Sequence, residues 1–292
     1  MKLQLLKFSF LFFLLVFTQN LFAQDFQGKA YYMSKTTIDM SQWGGGRQMS
    51  EQQKKQMMDR MREWLERTYV LTFNKTESMY KEDEKLEAPG GRGPNMWGSS
   101  FSPGPQYKNV KTKMFIQDQE FFGKKFLIKE EMKPIEWKME TETKQIGQYT
   151  CFKATATRPS TDIDWARRSR NNNSSEKEKD TTKTSETASK DTTTNDLDED
   201  PEMIEIVAWY TPMIPVNQGP ADFWGLPGLI LEVSAGNVTI LCSKIVMNPE
   251  EKTEIEAPEK GQVVTKQEYN TIITEKMEEM RNSRGRNSGR RM

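Results

Sequence analysis

The side chains of this chain best equipped for chemistry are its two cysteines, Cys151 and Cys242, and its many carboxylates; there is no histidine among the 292 residues. That absence removes imidazole-based triads, most zinc enzymes and histidine acid–base catalysis at once. Two cysteines separated by some ninety positions do not make a Cys-x-x-Cys redox pair. Glu130 with Glu131 and Asp162 with Asp164 are formal candidates for paired-carboxylate hydrolysis. Each pair sits in a charged, surface-like run, where a solvated face is the plainer reading. Met57 and Met61 have a spacing that a soft Cu(I) ion could use, but they fall in register with Trp64 and Leu65, which reads as core packing by flexible thioethers. No metal, cofactor or catalytic residue is therefore expected.

The elements that would position these groups begin after a leader. Lys2 and Lys7 precede an apolar run, Phe8 to Phe17, and Asn20-Leu-Phe-Ala23 ends in a small residue. This is the pattern of a secretory signal peptide, 1–23, cut after Ala23. Its apolar core is about half the ~20 residues a spanning helix needs, and no later stretch is long and apolar enough to cross a bilayer. The expected address is thus the periplasm, the outer membrane or the exterior. With 42 basic and 42 acidic side chains in the whole chain, removing Lys2 and Lys7 leaves a charge of minus two, which argues against nucleic acid as a partner. In an exporting compartment Cys151 and Cys242 are a disulfide candidate. Two buried thiols on separate strands are the alternative.

Strand patterning dominates residues 24–282, which read as one β-rich domain. QGKAYYMSKTT (27–37), TYVLTF followed by Asn74-Lys-Thr-Glu and SMYK, NVKTKMFI, KKFLIKEE, IEWKMETET and IGQYTCFKATAT carry β-branched and aromatic residues in alternation. In the last of these, taken as one strand from Ile146 to Thr157, Tyr149 and Cys151 share one face and Phe152, Ala154 and Ala156 the other. The small residues suggest close packing there beneath the first helix. That helix starts at Ser50 with Gln53 in capping-box spacing and carries Met57, Met61, Trp64 and Leu65 on one stripe. A second helix is capped by Thr265 and Glu268, with Val264 and Tyr269 as a staple and Tyr269, Ile272, Ile273, Met277 and Met280 as its apolar side. LILEV and NVTILCSKIV flank Ser234-Ala-Gly-Asn237 as a hairpin.

The Gly/Pro-rich segment 84–105 reads as a flexible exposed loop, and the polar insert 167–200 and the arginine-rich tail 283–292 read as disordered. Because strand-like MIEIVAWYTP follows the insert, it is expected to be a hairpin loop between paired strands, the first ending near Arg158. Within it, Asp180-Thr-Thr and Asp191-Thr-Thr resemble an acceptor pattern for O-linked glycans, which makes Thr181 and Thr192 glycosylation candidates.

Between two strands, WYTPMIPVNQGPADFWGLPGLILEV is rigid and rich in aromatics. Pro227 and Gly228 at the second and third positions of a turn specify type II, with Gly228 at positive φ, and Gly225 permits a tight approach beside Trp224. Nothing in the turn is a nucleophile, acid, base or ligand. Trp209, Tyr210, Phe223 and Trp224 line it, and such a loop can form the wall of a ligand pocket.

The hexapeptide Gly225-Leu-Pro-Gly-Leu-Ile230 resembles the signature of the GLPGLI family, secreted proteins of certain Gram-negative bacteria. GKKFLIKEE, IEWKMETETKQIGQYTCFKATA, AWYTP, IPVNQGP and ILCSKIVMNP fit as well. The resemblance implies a likeness to the bowl-shaped N-terminal domain of some bacterial peptide-N-glycosidases: a mainly β fold with a curved antiparallel sheet, bowl or half-barrel, and flanking helices. It also implies an accessory role beside TonB-dependent outer-membrane receptors and carries over no catalytic residue. The long insert departs from the shorter connection usual in the family. The expected function is a non-enzymatic envelope module binding a ligand or an outer-membrane partner. An enzyme using carboxylates and a purely structural envelope component are the alternatives.

Overall fold

A computed structural model describes residues 26–37, 50–83, 103–159, 203–251 and 253–288. The leader 1–23, loop residues 84–102, the insert with Thr181 and Thr192, and residues 289–292 lie outside them.

The described residues form one open sheet of 12 strands, mainly β and almost wholly antiparallel, with two helices. In chain order the strands are β1 (Gln27–Thr36), β2 (Glu66–Asn74), β3 (Glu77–Glu82), β4 (Gln106–Asn109), β5 (Met114–Phe121), β6 (Lys124–Glu131), β7 (Lys138–Ile146), β8 (Tyr149–Pro159), β9 (Met203–Thr211), β10 (Leu229–Ala235), β11 (Val238–Met247) and β12 (Gln262–Val264). Their order across the sheet is β12-β6-β5-β4-β3-β2-β1-β11-β10-β9-β8-β7. Only β12, beside β6, runs parallel to its neighbour. The longest-range join is made by β1, which takes the late strand β11 on one side and β2 on the other. Helix α1 (Glu51–Leu65) runs straight into β2, and α2 (Lys266–Ser288) follows β12.

Local chemistry accounts for most joints. Asn74 Oδ1 accepts from the backbone N–H groups of Thr76 (2.8 Å) and Glu77 (2.7 Å), which folds β2 onto β3. Gly236 takes a positive φ of 58° at the first central position of the β10–β11 hairpin, the position where glycine suits a type II′ turn. The Ser50–Gln53 capping box forms at α1, and Thr265 with Glu268 forms its counterpart at α2. Strands β8 and β9 pair directly, Arg158 opposite Ile204, so the insert does leave and return between two paired strands.

Several elements depart from their sequence patterns. IGQYTCFKATAT is two strands: Gly147 at φ 56° turns β7 into β8. NVKTKMFI likewise holds the turn from β4 to β5, where Asn109 Oδ1 accepts from the N–H groups of Lys111 and Thr112. Cys151 is buried as well as Ala154 and Ala156, so both faces of β8 are covered there. Ala154 and Ala156 pair with Ala208 and Ile206 in the main core, while α1 packs on β1 and β2. Helix α2 continues to Ser288, through most of the stretch read as a tail. Arginine is a good helix former, and a single interior glycine, Gly285, costs only about 1 kcal/mol.

The main core lies where the sheet wraps around the loop 212–228 between β9 and β10. Ile214, Val216, Phe223 and Leu226 point into it, with Tyr32, Leu71, Phe73, Ala154, Ile206, Leu229 and Ile230 around them. A bulge in β10 between Ile230 and Glu232 adds one residue, which lets Leu229, Ile230 and Leu231 all be buried in succession. A second cluster sets Phe126, Ile128 and Phe121 against Val264, Tyr269 and Ile273 of α2. There Phe126 and Tyr269 meet edge to face at 5.4 Å.

The glycines of the hexapeptide exchange their expected roles. Positive φ falls at Gly225 (96°), and Gly228 is not in the left-handed region. Gly228 is instead required by contact, since a β-carbon there would lie 2.2 Å from the carbonyl oxygen of Thr211. Leu229 N–H donates to Ile214 O (2.9 Å), which draws this stretch of chain against the end of β9. Urea unfolding of two variants separates these causes. Gly225→Ala, where the new β-carbon would meet only Trp137 at ordinary contact distance and the cost is backbone strain, is expected to lose about 1 kcal/mol. Gly228→Ala, which must displace backbone, is expected to lose about 3 kcal/mol. Equal losses, or the reverse order, would show the assignment to be wrong.

Candidate functional site

The loop 212–228 is held from several directions by polar side chains of the sheet. Tyr32 of β1 donates its hydroxyl to Ile230 O (2.7 Å), just past the loop. Lys108 of β4 donates to Gly219 O (2.5 Å) and Phe223 O (3.0 Å). Ser78 of β3 donates to Gln218 Oε1 (2.8 Å), and Trp137, just before β7, donates its indole N–H to Trp224 O (2.9 Å). Arg158 of β8 grips Asp222 at 2.7 Å and 3.4 Å and lies over the Phe223 ring at 4.7 Å. In a flat sheet β4 and β8, seven strands apart, would be separated by about 34 Å. That both reach residues 219–223 is a measure of how strongly the sheet curls.

On the concave side, register places four polar residues in a square. Ser78 faces Lys108 and Tyr80 faces Gln106 across the β3–β4 ladder, and directly opposed residues share a face. Gln218 descends on them from the loop. All five are buried, Ser78, Lys108 and Gln218 completely. The Tyr80 hydroxyl, Gln106 Oε1 and Gln218 Nε2 lack a hydrogen-bond partner, and buried polar atoms are seldom left so. Tyr80 also stacks on Tyr69, ring centroids 4.8 Å apart.

The electrostatics follow from burial. Desolvation pulls the Lys108 ammonium down to about 7, with Asp222 opposing it at longer range. Desolvation would push the Asp222 carboxyl up, but the charge and hydrogen bonds of Arg158, helped by Lys266 and Lys108, outweigh it and hold the group below its ordinary value. This pair is part-exposed, at 26% for Arg158 and 39% for Asp222, so its contribution is of order 1 kcal/mol or less. Tyr80 is pushed well up by burial, then by Tyr69 and Glu82.

The four aromatics expected to line one wall are not brought together. Tyr210 and Phe223 are core residues. Trp209, adjacent on β9, points to the opposite face, where the Lys144 ammonium sits 5.3 Å from its ring and pairs with Glu232 at 2.6 Å. Trp224 is half-buried and serves through its carbonyl. Neighbouring strand residues alternate in face, so Trp209 and Tyr210 could not share a wall. Glu130, of the carboxylate pair Glu130–Glu131, accepts from the Lys266 N–H at the start of α2; Asp162 and Asp164 lie outside the described residues. Lys108, Ser78, Tyr80, Gln106 and Gln218 were not singled out by sequence. A lysine on a four-residue strand reads as an edge charge, and only the register turns it inward.

The expected disulfide is likewise not formed: Cys151 and Cys242 are two buried free thiols. Strands β8 and β11 have β9 and β10 between them, about 14 Å across a flat sheet, against about 4.4–6.8 Å between the α-carbons of a bridge. Curvature brings the thiols within electrostatic range, and burial raises Cys151 to about 11 and Cys242 to about 12.

The fold and this polar centre define the class: an open, mainly β sheet curled around a rigid loop. Residues 137–232, from Trp137 through the loop to β10, match a family model described as a protein of unknown function (Porph_ging). No curated protein matches the chain. Two solved structures of PNGF-II are similar to it. One is 11% identical, with a TM-score of 0.46, covering 85% of this chain and 32% of that one. The other is 12% identical, with a TM-score of 0.39, covering 78% and 29%. The chain thus spans about a third of the length of those structures.

Two measurements check these assignments. Between its folded value near 7 and its unfolded value of 10.5, Lys108 is neutral when folded and protonated when unfolded. The unfolded state then binds the extra proton, so stability rises with pH. Unfolding free energy is expected to climb from pH 7 to 8.5 with a slope approaching 1.4 kcal/mol per unit, and to lose that slope in Lys108→Met. Above about pH 9 the raised thiols and phenols act in the opposite sense. A flat profile in the wild type would remove the buried ammonium. Separately, native protein should resist iodoacetamide near pH 8, and unfolding without reductant should expose two reactive thiols. Finding none would restore the disulfide.

Proposed function

We propose that the chain is an exported, non-enzymatic envelope module of the GLPGLI type that binds a ligand or an outer-membrane partner. The resemblance points to a TonB-dependent receptor as that partner. What carries this reading is the chemistry at the concave centre, where a lone buried cation, two amides and a phenol stand in place of paired carboxylates. Those groups are hydrogen-bond donors and acceptors of the kind that suits holding a partner. Catalysis by two carboxylates needs one of them pushed up to act as an acid. Asp222 is held down instead, with both oxygens engaged by Arg158. The leader pattern supports the envelope address, and the slightly acidic mature chain supports a partner other than nucleic acid.

A second reading, a purely structural component, is favoured by the loop itself, because Ile214, Val216, Phe223 and Leu226 fill the concavity with the chain's own side chains. Affinity purification of the tagged mature protein from its native envelope, with mass spectrometry of proteins and small molecules, separates the two. The binding reading expects one envelope protein or one small molecule retained in near-stoichiometric amount and absent from an unrelated exported bait. Recovery of the chain alone in both fractions would overturn it in favour of the structural role.

A further inference from the structure

We propose that Lys108, Gln218 and Tyr80 hold a small oxyanion, a carboxylate or a phosphate, against the inner face of β3 and β4 beneath the loop. This rests on the reading of the chain as a binding module and names the chemistry of its ligand. The first support is charge. Lys108 is fully buried, and among the described residues no carboxylate lies within ion-pair distance of it. Its two hydrogen bonds go to the carbonyls of Gly219 and Phe223, leaving one of an ammonium's three N–H groups uncommitted. Buried charges are ordinarily paired. The charged or titratable groups around it are Asp222 from the loop, already engaged by Arg158, and Tyr80 from the next strand.

The second support is the set of unmatched donors. Gln218 Nε2 and the Tyr80 hydroxyl have no partner. The ladder sets Tyr80 diagonally beside Lys108 on one face, and Ser78 fixes the Gln218 amide above that face. Two neutral donors and a spare ammonium N–H, gathered on one face of the β3–β4 ladder beneath the loop, are the kinds of group an oxyanion requires. Gln106 Oε1, the unmatched acceptor next to them, suits a hydroxyl or protonated oxygen of the same ligand. A neutral solute or an ordered water would satisfy the amides and leave the ammonium uncompensated. A cation would be repelled.

Isothermal titration of the mature protein with sodium phosphate and with sodium acetate, at constant ionic strength, tests this directly. At about pH 6 one of the two should bind saturably, and which one does so identifies the ligand chemistry. At about pH 8.5 the affinity should fall about 30-fold, because Lys108 has lost its proton. Tyr80→Phe keeps the ring on Tyr69, and Gln218→Leu keeps the side chain's bulk; each should weaken binding about 5-fold while thermal melts stay cooperative. No binding of either anion, equal affinity at the two pH values, or affinity unchanged in both variants would each overturn the proposal. A partner still recovered from the envelope alongside that result would leave the module reading standing. Anion binding with the chain recovered alone would do the reverse.

Discussion

A curved sheet with one apolar face must be covered, and here the cover is a loop, not a second layer. Residues 212–228 lie in the hollow and complete the main core, so the position of that loop governs the curl of the strands around it. The contact that sets it is backbone against backbone, Gly228 on the carbonyl of Thr211. With any side chain at 228 the loop would stand off its floor, and the residues buried on it would lose contact. Prolines 212, 215, 220 and 227 lower the entropy the loop loses on ordering.

Apolar burial alone would leave the loop free to slide, because hydrophobic contact is not directional. The polar pins remove that freedom. Tyr32, Ser78, Lys108 and Trp137 each bond one or two defined loop or strand-entry groups, and a shift of one residue would leave several buried groups unmatched. Lys108 is the costly member. Its burial disfavours the charge that makes it a strong donor, which is why its pKa moves so far and why the same residue is both a structural pin and the centre of a site.

The outer surface follows a different logic. On the convex side Lys144, Glu232, Lys153, Glu140 and Glu142 form cross-strand ion pairs around Trp209. The edge strand β7 is nearly all exposed and alternates charge along KMETETKQI. Charged edges discourage pairing with other chains, which suits a sheet whose two ends stay open. Little on this face gathers buried polar groups, and the concave centre is where a ligand would find both charge and unmatched hydrogen bonds.

Much of the architecture was legible in the residues because it is written in local periodicity. The alternating strands, both capped helices, the Asn74 and Gly236 turns and the pairing of β8 with β9 depend on contacts within a few residues or across one loop. Turns inside apolar runs were less visible, since Gly147 and Asn109 interrupt patterns that continue on either side. The candidate site was not legible at all. Nothing near Lys108 in sequence marks it as buried, and Gln218 lies 110 positions away on a loop whose rigidity and aromatic lining pointed to other residues. The cysteines and the aromatic quartet show the same limit from the other side, because residue type suggested partners that strand order and strand face then separated. Sequence alone determined most of the strands, both capped helices and the absence of histidine chemistry. Only tertiary structure decided which glycine bears the strain, which thiols stay apart and which lysine is buried, because each depends on which strands become neighbours and how far the sheet curls.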